Sequence, residues 1–407
     1  MSRLSFLGSN NSVDPSPSTK HSFASDTSGI ALTLKLRSFA TNAQATPLLF
    51  STTPLAGKVK LELLQPLKAS AIVLVIRGFE RGALKWSCIA SHTHTNLCLG
   101  TLAEAFPAPS TFNHANERNF LEQKTVLWSA SQTASRRLEG RTHRFSFRET
   151  LPATIPSRDD HQLPLPPTFT SDNCPVFVLY ELAVVVQRGL LQRDERVCTP
   201  LRIVTRTLPS PASLHRQRAY EQGTALPGPH VDGSGWLTKA ISLHFRTSRQ
   251  HTELRCQCAV ATPPTHPRGF AIPLWMTLHS PNPQVLASLC DAFLVGGVSA
   301  SLARTICWHR DARPVSAAPD ITVARAAFWR VSSPDPSKCM LQGELTPPAA
   351  LPPSFSASSF ELGYRISFSF HSQALRELGI HYEDIPIVLP VQITSNATAT
   401  RPRSYAP

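Results

Sequence analysis

The chain is short of glycine, of charge and of long apolar runs. Its 407 residues include 18 glycines, and charged residues make up only 16%. Set beside 42% apolar residues, that is too apolar for wholesale disorder and too evenly mixed for a membrane protein. The longest apolar stretches are Ala71–Ile76 and Val176–Val186, the second interrupted by Glu181. Both fall well short of the ~20 residues that a membrane-spanning helix needs. Nucleophile and phosphate-cradling motifs are missing too: there is no G-x-S-x-G, H-E-x-x-H, P-loop or G-x-G-x-x-G. No C-x-x-C pair occurs, and the 9 cysteines are an odd number scattered along the chain. They read as reduced thiols of a cytosolic protein and not as a disulfide framework.

Proline, by contrast, is plentiful: 36 of 407 residues, about 9% against a usual ~5%. Prolines spread that densely break helices. With 42% apolar residues there is enough to fill real cores, and at roughly 150 residues per domain the length suits two or three of them. The expectation is a β-rich chain of short segments joined by proline-bearing turns. Forty Lys+Arg against 27 Asp+Glu give a net charge of +13. That favours anionic partners, although the arginine-rich, lysine-poor habit of a GC-rich genome produces the same balance. Met1–Gly8 has no apolar h-region of signal-peptide length, which predicts a cytoplasmic protein.

Periodicity divides the chain. Residues 1–28 are rich in Ser, Asn, Pro and Thr and read as a disordered leader. Ile30, Leu32, Leu34 and Leu36 then alternate with polar residues, as a half-buried strand does. After Gly57, Val59, Leu61 and Leu63 occupy one face while Lys58, Lys60 and Glu62 occupy the other. Ala71–Ile76, closed by Arg77-Gly78, fits a strand buried on both faces. His143, Phe145 and Phe147 alternate with Arg144, Ser146 and Arg148, and further strands cover Phe177–Gln187 and Cys198–Val204. Such spacing predicts an antiparallel sandwich over 29–206. Residues 207–235, dense in Pro and Gly, read as a linker whose His215, Arg216 and Arg218 are solvated. A second domain, 236–396, opens with Leu237, Ile241, Leu243 and Phe245. It carries the best helix signal: Asn282 as cap, Pro283 first, Val285, Leu286, Leu289 and Phe293 on one face, and Gly296-Gly297 as stop. A strand with Val298, Ala300 and Leu302, a short helix over Gln373–Leu378, a last strand at Pro390–Ile393 and a polar tail, 397–407, complete the reading.

The two halves share a pattern. Pro166-Pro-Thr-Phe-Thr170 leads into Val178-Leu-Tyr-Glu-Leu-Ala-Val184, and Pro352-Pro-Ser-Phe-Ser356 leads into Leu362-Gly-Tyr-Arg-Ile-Ser-Phe368. Here the chain resembles the arrestin family, in particular the α-arrestin-like proteins of fungi. Gly57–Leu63, Ile72–Gly78, Arg144–Pro152 with Ile155-Pro-Ser157, Val178–Val186 and Cys198–Val204 follow the order of that family's N-terminal domain. The likeness is good over 30–206 and weaker over 237–394. It implies an all-β protein: two immunoglobulin-like antiparallel β-sandwich domains in tandem, with one or two short helices in the second. The corner residues Phe169, Tyr180, Phe355 and Tyr364 are expected to be structural. Proline sets an extended backbone, phenylalanine anchors the turn, and a buried tyrosine hydroxyl must find an acceptor.

Residue chemistry leaves few sites. His92-Thr-His94 and Cys256-Gln-Cys258 each place two ligand types on one strand face, but zinc needs three or four and no partner pair lies near in sequence, so no metal is expected. Asp159-Asp160 before His161 reads as solvated loop charge. If Val59, Leu61, Phe145 and Phe147 point inward, Lys58, Lys60, Arg144 and Arg148 point outward, with Arg136, Arg137 and Arg141 just upstream. Such a basic sheet face can grip phosphate through charge-assisted hydrogen bonds, or it can simply be solvated. Nucleic acid is not expected, because the aromatics lie within strands. The resemblance implies a non-catalytic adaptor without cofactors that binds cytosolic tails of membrane cargo, and in some cases anionic lipid, peripherally at the plasma membrane or endosomes. Many α-arrestins recruit HECT-type ubiquitin ligases through P-P-x-Y. Every Pro-Pro here precedes T-F, T-H, A-A or S-F, so any ligase is expected to be reached indirectly. The other readings are a retromer-like sorting scaffold acting without ubiquitin, and a metal-dependent β-sandwich enzyme.

Overall fold

The structure is a computed structural model that describes residues 17–27, 29–81, 117–132, 137–157, 161–171, 176–188, 192–246, 251–292, 298–310, 313–333, 335–370 and 386–396. It forms two compact units. One gathers the described residues of Met1–Glu80, His92–Ala153 and Phe177–Val204. The second gathers those of Arg81–Ser91, Thr154–Val176 and Thr205–Pro407.

The first unit is built of β-strands. These are β1 (Thr19–Thr27), β2 (Ile30–Ser38), β3 (Leu48–Phe50), β4 (Leu55–Leu63), β5 (Ala71–Arg81), β6 (Glu117–Ser129) and β7 (Thr142–Glu149). In chain order β8 (Thr154–Pro156), β9 (Gln162–Pro164) and β10 (Phe169–Thr170) follow and cluster with the second unit. Then come β11 (Phe177–Gln187) and β12 (Glu195–Val204). One sheet has the order β1-β2-β4-β7 and the other β3-β12-β11-β5-β6, with β3 parallel to β12.

Alternation explains the first sheet. Ile30, Leu32, Leu34 and Leu36 of β2 and Val59 and Leu61 of β4 are buried, and the residues between them face away. Gly57 is needed because a Cβ there would lie 2.4 Å from the Lys35 carbonyl oxygen and equally close to the Phe147 ring. Gly78 does not close β5 as expected. The strand runs on to Arg81, and the Phe120 ring lies where a side chain at 78 would be. In β11, buried on both faces, Glu181 is matched by Arg196 of β12, whose Nη2 donates to both carboxylate oxygens at 2.7 Å. Burial and that carboxylate push the Cys198 thiol up to about 11.

Two expected boundaries are corrected. The leader does not extend to residue 28, because Thr19–Thr27 is paired along its length with β2. The buried His21 ring secures that edge through Ser38 Oγ at 2.8 Å and Ala43 O at 3.0 Å. Residues 207–235 are not a bare linker either. They contain α1 (Leu214–Gln222), capped by Ser213 and ended by Gly223 at φ 66°. Arg216 is buried there, not solvated: it donates to the carbonyls of Gly235 and Thr262, which ties the helix to the second unit. The remainder of the leader, the Gln373–Leu378 helix and the tail lie outside the described residues.

The second unit continues with β13 (Trp236–Arg246), β14 (His251–Ala261), β15 (Thr265–Pro267), β16 (Ile272–His279), α2 (Pro283–Ala292), β17 (Val298–Arg310) and β18 (Arg313–Ala317). Then follow β19 (Ile321–Arg325), β20 (Ala327–Val331), β21 (Lys338–Leu345), β22 (Phe355–Ser356), β23 (Phe360–Phe370) and β24 (Ile387–Thr394). One sheet runs β13-β14-β16-β21-β20. The other runs β15-β24-β23-β17-β18, with β19 on β17 and β22 on β23. Leu254, Val260, Leu274, Met276, Leu302, Ile366 and Phe368 belong to one buried cluster. The helix α2 starts as expected, the Asn282 carbonyl accepting from Leu286 N–H at 3.0 Å. Its Cys290 is joined to Cys339 of β21 in a disulfide, which corrects the expectation of thiols throughout. Cysteines 49 apart in sequence carry no spacing signal that would have revealed the pair. We expect Gly57→Ala to destabilise the protein by about 1–3 kcal/mol, measured by urea unfolding. An unchanged midpoint would contradict the packing described.

Candidate functional site: a basic sheet face

Register decides what the solvent face of β1-β2-β4-β7 presents. Lys20 lies opposite Arg37, and Ala56 opposite Arg148. Lys35 lies opposite Lys58, which lies opposite Ser146. Thr33, Lys60 and Arg144 form the next row, and Asp26, Ala31, Glu62 and Thr142 the last. Seven cations therefore share a face with two acids, and both acids sit in the end row. Lys20, Lys35, Arg37, Lys58, Arg144 and Arg148 are exposed. Lys60 is half-buried and pairs with Glu62 at 2.8 Å. Among the described residues the other six have no carboxylate within ion-pairing distance.

The opposite face explains the alternation. Phe145 lies in register with Val59, and Phe147 with Gly57, so the aromatic residues of β7 face the core side. Phe147 is buried, and Phe145, on an edge strand, is half-buried. Of the residues singled out upstream, Arg141 precedes β7 and pairs with Glu139 at 3.2 Å, so it stands off the grid. Arg137 is exposed ahead of β7, and Arg136 lies outside the described residues. Lys20, Lys35 and Arg37 were missed by sequence reasoning. For Lys35 and Arg37 the signal was present, since they alternate with Leu34 and Leu36. Lys20 sits in a strand too polar to show a period.

The remaining candidates have structural surroundings. Tyr364 is buried and donates to the Pro352 carbonyl at 2.7 Å, so the second corner closes on its own proline. Burial pushes its phenol above the usual range. Phe169 clusters with the second unit, its ring edge-on to Phe355 at 5.4 Å and beside Phe360 at 6.0 Å. Tyr180 is fully buried in the first unit, edge-on to Phe120 at 5.5 Å. Cys256 and Cys258 share a strand face as expected, with sulfurs 3.8 Å apart in the apolar core. Among the described residues no three His, Cys, Asp or Glu side chains come together as a ligand set. His161 is exposed. His92, His94, Asp159 and Asp160 lie outside the described residues.

With this geometry in hand, residues 43–205 match the family model of the arrestin (or S-antigen) N-terminal domain. The chain carries an arrestin N-terminal domain. The match spans β3 to β12 and so includes two of the strands, β4 and β7, that carry the basic face. No curated protein matches the chain. The arrestin domain thus presents a sheet face whose charges repel one another: directly opposed like charges such as Lys35 and Lys58 destabilise a strand pair. We expect Lys58→Glu to raise stability by about 0.2–1 kcal/mol at low salt, with the gain vanishing at high salt. Thermal unfolding at two ionic strengths checks this, and a loss of stability at low salt would contradict it.

Proposed function

We propose that the protein is a non-catalytic adaptor of the arrestin kind, which holds an acidic or phosphorylated cytosolic segment of a membrane cargo protein on the basic sheet face. The observation that carries this reading is the set of six exposed cations on one rigid face, with both acids confined to one end row. Arginine's planar fork bonds a phosphate through two parallel N–H donors, and strands hold the forks at fixed spacing. An extended phosphosegment lying across the strands would meet Lys35 with Lys58, or Lys60 with Arg144, in successive rows. The arrestin N-terminal domain supports the adaptor class; cargo, sorting and endocytosis are part of the proposal, as is a peripheral position at the plasma membrane or endosomes.

A second reading, a sorting scaffold that works without a ubiquitin ligase, is favoured by one observation: none of the Pro-Pro pairs is followed by x-Tyr. Partners recovered after mild cross-linking separate the two, since an adaptor brings cargo with a ligase and a scaffold brings coat subunits.

The direct test is a titration of the full chain with a peptide of clustered acidic and phosphorylated residues, followed by fluorescence anisotropy. Replacing Arg144 and Arg148 together by Gln is expected to weaken binding about tenfold or more and to flatten its salt dependence. Both positions are exposed, so the fold is expected to be unaffected. Unchanged affinity in the double variant would refute the proposed face. Vesicles containing anionic lipid, titrated in parallel, show whether a membrane surface is the better ligand.

A further inference from the structure

Residues 205–213, which follow β12 and lead into α1, form neither strand nor helix. At their centre stand Leu208, Pro209, Ser210 and Pro211. Proline fixes its own φ and pushes the residue before it into extended backbone, so Leu208 and Ser210 are both held extended. Pro209 is buried and anchors the segment, and the Ser210 N–H donates to Thr265 Oγ1 at 2.9 Å. The rest faces water: Leu208 is 65% exposed, and Ser210 and Pro211 are both exposed. Among the described residues the Ser210 hydroxyl makes no hydrogen bond, although its N–H is held. Other Ser-Pro and Thr-Pro pairs have different settings. Thr199 and Ser280 are buried, and Thr46 and Thr346 precede buried prolines. The Thr262 hydroxyl donates to the Ser234 carbonyl at 2.7 Å, and Thr53-Pro54 is half-buried. Among the described residues, Ser210-Pro211 is the one such pair exposed at both members.

We infer that Ser210 is a phosphorylation site for a protein kinase that selects proline directly after the acceptor. Such an enzyme reads two properties that proline alone supplies, a fixed φ and a missing N–H. It also needs an acceptor on extended, solvent-facing backbone, which the two prolines here provide without local unfolding. The exposed Leu208 offers an apolar contact two residues before the acceptor. In the transfer a bond forms between Ser210 Oγ and the γ-phosphorus of ATP as the bond from that phosphorus to the β,γ-bridging oxygen breaks. ADP leaves, and the hydroxyl proton passes to a carboxylate of the kinase. The phosphate adds about 1.5 to 2 negative charges. Residues 205–213 contain no acid and one cation, Arg206, so the modification reverses the sign of the segment that follows the arrestin domain. This site is independent of the basic face and does not rest on the adaptor reading.

The test incubates the full, folded chain with ATP and a purified, activated mitogen-activated protein kinase, and locates phosphate by mass spectrometry of its peptides. The expected result is phosphate on Ser210, absent from Ser210→Ala. Pro211→Ala is expected to slow the transfer about tenfold or more. Both side chains are exposed, so both variants are expected to fold. A synthetic peptide of residues 204–214 gives the rate for a fully accessible acceptor. The folded, unaltered chain is expected to react within about tenfold of that rate, since no opening of the fold is needed, and this comparison stands even where a variant fails to fold. Absence of phosphate from Ser210 in the folded chain would overturn the assignment, whether or not the peptide reacts. So would a rate that Pro211→Ala leaves unchanged, or a folded chain far slower than the peptide.

Discussion

The pairing register of β2, β4 and β7 governs what this protein presents to its surroundings. A strand has a period of two, so a shift by one residue would turn every leucine outward and every lysine inward. Burial of Leu32, Leu34, Val59 and Leu61 holds the register, and Gly57 lets Phe147 and the Lys35 carbonyl close over β4 at that point. Given this constraint, the clustering of like charge on the other face is a consequence of composition alone: each inward apolar residue commits its neighbour to solvent. The same geometry places cations opposite one another at the cost of some stability, which is what a binding face for anions requires.

Several buried polar groups in the two units are matched locally. Glu181 sits in a strand buried on both faces because Arg196 reaches across from β12 to both of its oxygens. Tyr364 closes its corner through the Pro352 carbonyl. Arg216 anchors an otherwise polar helix by donating to two backbone carbonyls. In each case a buried donor or acceptor is matched locally, as desolvation demands. Other buried atoms, among them Arg196 Nε, His266 Nε2, Trp275 Nε1 and Gln342 Nε2, have no hydrogen-bond partner.

Much of the fold could be read from alternation. β2, β4, β7, β12 and β24 show it, β11 reads as a near-continuous apolar run, and α2 announces itself through Asn282-Pro283. Four outward cations, Lys58, Lys60, Arg144 and Arg148, follow from the same pattern. What stayed hidden lacks a period. β1 reads as polar leader because its anchor is one histidine bonded to Ser38 and a carbonyl, which no hydropathy pattern encodes. The α1 helix is polar nearly all round, and only Ser213 and Gly223 at its ends mark it. The disulfide between Cys290 and Cys339 joins a helix to a strand far away in sequence. Residues Thr154–Val176 cluster with the second unit through packing such as that of Phe169 on Phe355, although in sequence they continue the first. The family match ends at residue 205, close to where β12 stops.

The central claim is that the solvent face of β1-β2-β4-β7 is where an anionic segment docks. Amide hydrogen exchange of the full chain, with and without a multiply phosphorylated peptide, tests it most directly. The account predicts slowed exchange confined to β2, β4 and β7, and no such change with the unphosphorylated peptide. Protection appearing instead on β11 and β12, or in the second unit alone, would contradict it.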